Sequence, residues 1–216
     1  MPQLDPFSTP SFEVKKRPTQ QRARDTYEAI LGATAALLQE VGIERLSTNL
    51  VCQRVGISPP ALYQYFPNKY AILHELGTRL MDQQNALLQA WATPQNMKLP
   101  PKRYAESLLA LFAATHELTQ TQAAGDWITR ALRAVPALHH VRASSHDHVT
   151  TLVHDAFMAA YPDADSAQVR LTTRVVIECV YAALELLFDD PTQDAEGVAR
   201  IAADIASQQM MRLRPR

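Results

Sequence analysis

Residues 47–69 read STNLVCQRVGISPPALYQYFPNK, and the order of residue types there decides how the chain folds. Ser47 can cap a helix, its hydroxyl accepting from a first-turn amide that has no partner within the helix. Val51, Cys52 and Val55 then give that helix one apolar face at helical spacing. Gly56 ends it, because the turn needs a positive φ that glycine adopts without a Cβ clash. Ser58 caps a second helix, and Pro59 takes its first position, where a missing N–H is no loss. Leu62 and Phe66, four apart, face inward, leaving Pro60, Ala61, Tyr63, Gln64 and Tyr65 on or near the outer side. Two short helices around a glycine turn, the second presenting aromatic and amide groups outward, form the pattern of a DNA-binding helix-turn-helix.

With those residues in view, the segment resembles the DNA-binding domain of the TetR family of bacterial transcription regulators. The likeness runs from about Arg24 to Leu73, through Ile30, Ala33, Leu37, Gly42, Leu46, Ser47, Val51, Gly56, Ile57, Ser58, Leu62, Tyr63, Phe66 and Lys69. The Leu-Tyr-x-Tyr-Phe-x-Asn-Lys run after a Gly-Ile-Ser turn is the specific part of it.

A chain of 216 residues holds one mid-sized domain or two small ones. Its 47% hydrophobic and 20% charged content is that of an ordinary globular protein. No apolar run approaches the length of a membrane span and no signal-peptide pattern opens the chain, so a cytoplasmic location is expected. Cys52 and Cys179, the only cysteines, read as buried small hydrophobes in such a compartment. The net charge of −1 hides an asymmetry: residues 1–80 carry 9 Lys and Arg against 7 Asp and Glu, the remainder 12 against 15. Lys15, Lys16, Arg17, Arg22 and Arg24 occur with no acidic residue among them, a cluster that beside a helix-turn-helix reads as a phosphate-contacting arm.

Taken in order, residues 1–18 contain four prolines and few periodic apolar positions, so a flexible basic arm is expected there. A first helix follows to about Glu40, with Gly42 stopping it. After Pro67-Asn68 a helix begins near Lys69 and continues to about Ala92, long enough to leave the DNA-binding domain. Breakers then divide the rest into helices over about 101–119, 121–134 and 137–160, one capped by Asp163 or Asp165 and running to about Phe188, and a last one over about 195–211. There is no strand or repeat signal.

For the DNA contacts, Pro59, Pro60, Ala61, Tyr63 and Gln64 occupy the exposed start of the second helix, which enters a major groove. Gln64 can read an adenine edge, and Ala61 and the prolines can touch a thymine methyl. The resemblance implies that Tyr63, Tyr65 and Lys69 grip phosphates or the groove edge, and that Thr48 and Asn49 hold the backbone or reach a base. Ser47 and Ser58, at the two helix starts, complete the DNA-facing set. Many relatives have Arg or Lys where this chain has Asn49, and Gly where it has Pro60, so base preference does not transfer.

No catalytic constellation emerges. His139, His140, His146, His148 and His154 are poorly spaced for a shared metal on a helix, and Ser144-Ser145 lacks a nucleophile elbow. Six glycines leave little scope for a phosphate loop. No cofactor and no metal are expected. By resemblance, residues 95–160 are the ligand chamber, with Trp91, Tyr104, Phe112, His116, Trp127, Arg130 and Phe157 as its candidate residues. They suit an apolar, moderately aromatic effector with His116 or Arg130 as a polar handle. The last two helices carry apolar stripes too wide for one chain to bury; Val176, Val180, Leu184, Ile201 and Ile205 are the candidate dimer contacts, and the resemblance implies a four-helix interface.

The expected fold is all-α: an arm over 1–18, a three-helix helix-turn-helix domain over 19–73, and a larger helical ligand-binding and dimerisation domain over 74–216. The expected function is that of a non-enzymatic transcription regulator, a homodimeric repressor released from a palindromic double-stranded operator by a small-molecule effector. The alternatives are a ligand-independent regulator controlled by a protein partner and, further off, a helical small-molecule-binding protein or enzyme.

Overall fold

The structure is a computed structural model that describes residues 19–215; the arm expected over 1–18, with Lys15, Lys16 and Arg17, lies outside them. Every regular element among the described residues is helical. In chain order they are α1 (Gln21–Arg45), α2 (Thr48–Val55), α3 (Pro59–Tyr63), α4 (Lys69–Trp91), α5 (Pro94–Met97), α6 (Pro101–Thr121), α7 (Gly125–Ala134), α8 (His139–Ala160), α9 (Ser166–Asp189) and α10 (Ala195–Met211), with a 3₁₀ turn at Pro136–Leu138.

Two units are formed. Among the described residues, the first holds those up to Leu80 together with Gln122–Arg142; the second holds Met81–Thr121 and those from Ala143 onward. The sequence reading expected a boundary at 73/74, whereas the two units divide α4 after Leu80. Residues 122–142 return to the first unit because α7 buries Ile128, Ala131 and Leu132 and packs on α1. Gly77 in α4 makes room for them, since a Cβ there would come within 2.6 Å of a Leu132 methyl.

In the first unit, α1 contributes Tyr27, Ile30, Leu31, Leu37 and Leu38 to a core completed by Leu46, Val51, Leu62, Phe66, Ile72 and Leu73. Burying each such side chain contributes about 1.5–3 kcal/mol. Tyr27 stacks on Phe66 with centroids 4.8 Å apart and meets Tyr65 edge-on at 6.0 Å. Gly42, at φ 72° and ψ 171°, breaks the regular helix inside α1, so one more turn follows it before Leu46.

In the second unit α10 lies against both α6 and α9. Polar bonds tie the helices: Gln84 Nε2 donates to Thr119 Oγ1 at 2.8 Å, and Ser145 Oγ to Asn85 Oδ1 at 2.8 Å. Asp165 caps α9, accepting from the amides of Ala167 and Gln168 at 3.0 and 3.1 Å. Beyond α10, Arg214 donates to the Met97 carbonyl at 2.6 Å and lies between the rings of Tyr104 and Tyr161.

Candidate nucleic-acid interface

The helix-turn-helix is built by its turn. Ser47 accepts from the Leu50 amide at 3.3 Å and starts α2. Gly56 ends it at φ 76° and ψ 33°, where glycine is nearly free of strain, and its amide donates back to the Cys52 carbonyl at 2.9 Å. Ser58 takes the N-cap position of α3 with extended backbone, but its side chain makes no capping bond, contrary to the sequence expectation; Pro59 at the first position needs none. Val51, Cys52, Leu62 and Phe66 are buried beneath this pair, as their spacing demands.

The opposite face carries the candidate DNA residues. Asn49, Ser58, Pro59, Pro60, Tyr63 and Gln64 are exposed, while Ser47, Thr48, Ala61 and Tyr65 are half-buried. Thr48 Oγ1 and Tyr63 Oη lie 3.1 Å apart, a hydrogen bond that joins the start of α2 to the end of α3. Lys69 is placed differently from a free phosphate-gripping cation: its ammonium donates to the carbonyls of Ile43 and Leu46 at 3.1 and 3.0 Å. It thereby holds the C-terminal end of α1 to the first residue of α4. Bracing comes also from three ion pairs made by two arginines. Arg54 forks onto Glu40 at 2.9 and 2.6 Å, joining α2 to α1, and Arg79 forks onto Glu28 at 2.8 Å while bonding Glu75 at 3.0 Å. The Arg79 guanidinium holds the Glu28 carboxyl below its ordinary value. His74 and His140, in this same unit, approach through their Nε2 atoms at 3.0 Å. Desolvation, and then the neighbouring His140, hold the pKa of His74 below its ordinary value.

The second unit holds a partly open apolar cavity of about 70 Å³ between α4, α6, α8, α9 and α10. Trp91, Tyr104 and Phe112 line it. The other candidate chamber residues do not. Trp127 and Arg130 belong to the first unit, where the guanidinium lies 5.2 Å over the indole, because α7 packs on α1. His116 stacks on Phe188 at 5.3 Å, its pKa lowered by burial, and Phe157 is core against Tyr161. The wall residues that sequence reasoning missed, Thr115, Thr173, Tyr181 and Met210 among them, come mostly from α9 and α10. Their signal was the breadth of the apolar stripe on α9, which serves two surfaces rather than one. Burial pushes the Tyr181 hydroxyl up to about 12 and that of Tyr104 also upward.

Outside the cavity, α9 and α10 leave a shallow apolar groove lined by Val176, Cys179, Val180, Leu186, Ile201 and Ile205. Ile201 is 63% exposed and Ile205 48%. Leu184 is a correction: it is buried and faces the cavity, one helical turn past Val180. Cys179 is exposed rather than buried, since it lies on the outer stripe. Among the described residues no group of three or more His, Cys, Asp or Glu could hold a metal ion, and no helix is long and apolar enough to cross a membrane.

Comparison with known proteins agrees with this geometry. The family model for bacterial regulatory proteins of the tetR family matches residues 30–76. The tetracycline repressor protein class C of Escherichia coli is 39% identical over 54 residues, 25% of each chain. The nucleoid occlusion factor SlmA of Glaesserella parasuis is 27% identical over 103 residues, 48% of this chain and 50% of that protein. The chain thus spans a quarter to a half of the length of these curated relatives. A TetR-family transcriptional regulator from Streptomyces coelicolor shares the fold with a TM-score of 0.60 at 20% identity, over 87% of this chain and 99% of that one. Residues 30–76 are therefore a DNA-binding domain of the tetR type.

Proposed function

We propose that the chain is a homodimeric transcription regulator, a repressor that leaves a palindromic operator when a small molecule fills the cavity of its second unit. The observation that carries the DNA-binding reading is the exposed face of α2 and α3. Asn49, Pro59, Pro60, Tyr63 and Gln64 stand outward over a buried Val51, Leu62 and Phe66, with Thr48 and Tyr63 bonded across the turn. That is the arrangement in which a short recognition helix presents its N-terminal residues to base edges. The exposed Ile201 and Ile205 support a dimer through α9 and α10, and a two-fold dimer would meet successive major grooves. Footprinting on the DNA flanking its own gene tests the proposal. A protected palindrome supports it; protection no stronger than on unrelated DNA refutes it.

Release would run through α4, which carries Lys69 at one end and Leu88 and Trp91 of the cavity wall at the other. A packed helix moves nearly as a rigid rod, so widening the cavity would alter the spacing of paired recognition helices. A tenfold loss of DNA affinity requires about 1.4 kcal/mol of differential ligand binding, and operator must weaken ligand binding by the same factor. The smallness of the cavity favours a second reading, a ligand-independent regulator under a protein partner. Equal ligand affinity with and without saturating operator would select it.

A further inference from the structure

We infer that the cavity of the second unit takes an uncharged, compact and largely apolar molecule, with the Thr173 hydroxyl as a polar handle; this deepens the reading of that cavity as the effector site. Among the described residues lining it, none carries a charge. A carboxylate or ammonium entering there would lose its water with no counter-ion to replace it. The polar atoms of the wall narrow the choice further. Trp91 Nε1 donates to Ser107 Oγ at 3.2 Å, and Thr115 Oγ1 to the Leu111 carbonyl at 2.9 Å, so both protons are committed to protein oxygen. Thr173 is buried and donates only to the Met210 sulfur at 3.9 Å, a weak acceptor that a ligand oxygen would outcompete. Tyr104 also donates to a sulfur, that of Met97, which lies outside the cavity lining.

Size points the same way. A cavity of about 70 Å³ is smaller than the roughly 150 Å³ that accommodates benzene in a protein core. Occupation by one aromatic ring must therefore move the wall. Met210, unbranched and adaptable, is the side chain best able to yield, and its departure would free the Thr173 hydroxyl for the ligand.

The test uses the full chain carrying Trp127→Phe, which leaves Trp91 in the cavity wall as the sole tryptophan. Toluene, benzoate and benzylamine, nearly equal in shape, are titrated at pH 7.4 with Trp91 emission as readout. Toluene is expected to give a saturable change at least tenfold tighter than either charged probe. Benzyl alcohol is expected to lose about fivefold relative to toluene in Thr173→Val, one hydrogen bond's worth. Ala206→Leu, which fills the cavity, is expected to abolish toluene binding. Benzoate or benzylamine binding as tightly as toluene, no toluene binding at all, or an unchanged benzyl alcohol preference in Thr173→Val would overturn the inference. DNA binding is read separately: a protein that binds operator but not toluene sinks this inference alone. One that shows the toluene preference but binds no DNA sinks only the regulator reading.

Discussion

Tyr63 Oη lies 3.1 Å from Thr48 Oγ1, so the last residue of α3 and the first of α2 share a hydrogen bond on the face that presents Asn49 and Gln64. The tyrosine is 41% exposed, and little core packing depends on it. Tyr63→Ala is therefore expected to lower DNA affinity at least tenfold while changing stability by only about 0.5 kcal/mol. Fluorescence anisotropy on an operator duplex and urea denaturation would check the two halves of that statement. An unchanged affinity would remove Tyr63 from the interface.

Lys69 behaves differently because its ammonium is engaged by the Ile43 and Leu46 carbonyls. Lys69→Met should cost about 1–2 kcal/mol of stability, two charge-assisted bonds being exchanged for water at a half-buried site. The urea midpoint of the variant measures this. A midpoint equal to wild type would mean that the bonds contribute nothing.

The His74–His140 pair makes stability depend on pH. Burial and the neighbouring imidazole lower the pKa of His74 in the folded state, so the unfolded chain binds the proton more readily. The stability associated with neutral His74 is then fully present above the unfolded value, near 6.5, and is lost as pH falls below it. His116, lowered by burial, acts in the same direction. His74→Gln should flatten the fall in melting temperature between pH 7 and 5 without abolishing it. An identical slope would show that the pair is silent.

Ile201→Glu tests the proposed dimer. The side chain is exposed in the protomer, so a charge there costs nothing unless a second copy covers it. In an apolar interface it would cost several kcal/mol. The variant is expected to sediment as a helical monomer with weakened operator binding. A stable dimer would move the interface away from the α9–α10 groove.

The segmentation of the chain was legible because glycine and proline punctuate it. Gly42 and Gly56 adopt the positive φ their positions required, and Pro101 and Pro136 open the elements they begin. What sequence could not supply was partnership between elements. Residues 125–134 show a clear apolar face, yet periodicity says only that a face is buried, not against what. The resemblance places Trp127 and Arg130 in the chamber, whereas both belong to the first unit. The bare mid-helix Gly77, opposite Leu132, was the one available hint. Lys69 shows the same limit, since the resemblance implies a phosphate-gripping cation, while the carbonyls of Ile43 and Leu46 that its ammonium reaches are known only from the structure.

The central claim, that the α2–α3 face reads DNA, is tested most directly by selecting bound duplexes from a random-sequence pool with wild-type protein and with Tyr63→Ala. The account predicts that the wild type enriches a two-fold symmetric motif whose half-sites lie about one DNA turn apart, and that Tyr63→Ala enriches it weakly or not at all. No enriched motif with the wild type, or equal enrichment of the same motif by the variant, would contradict it.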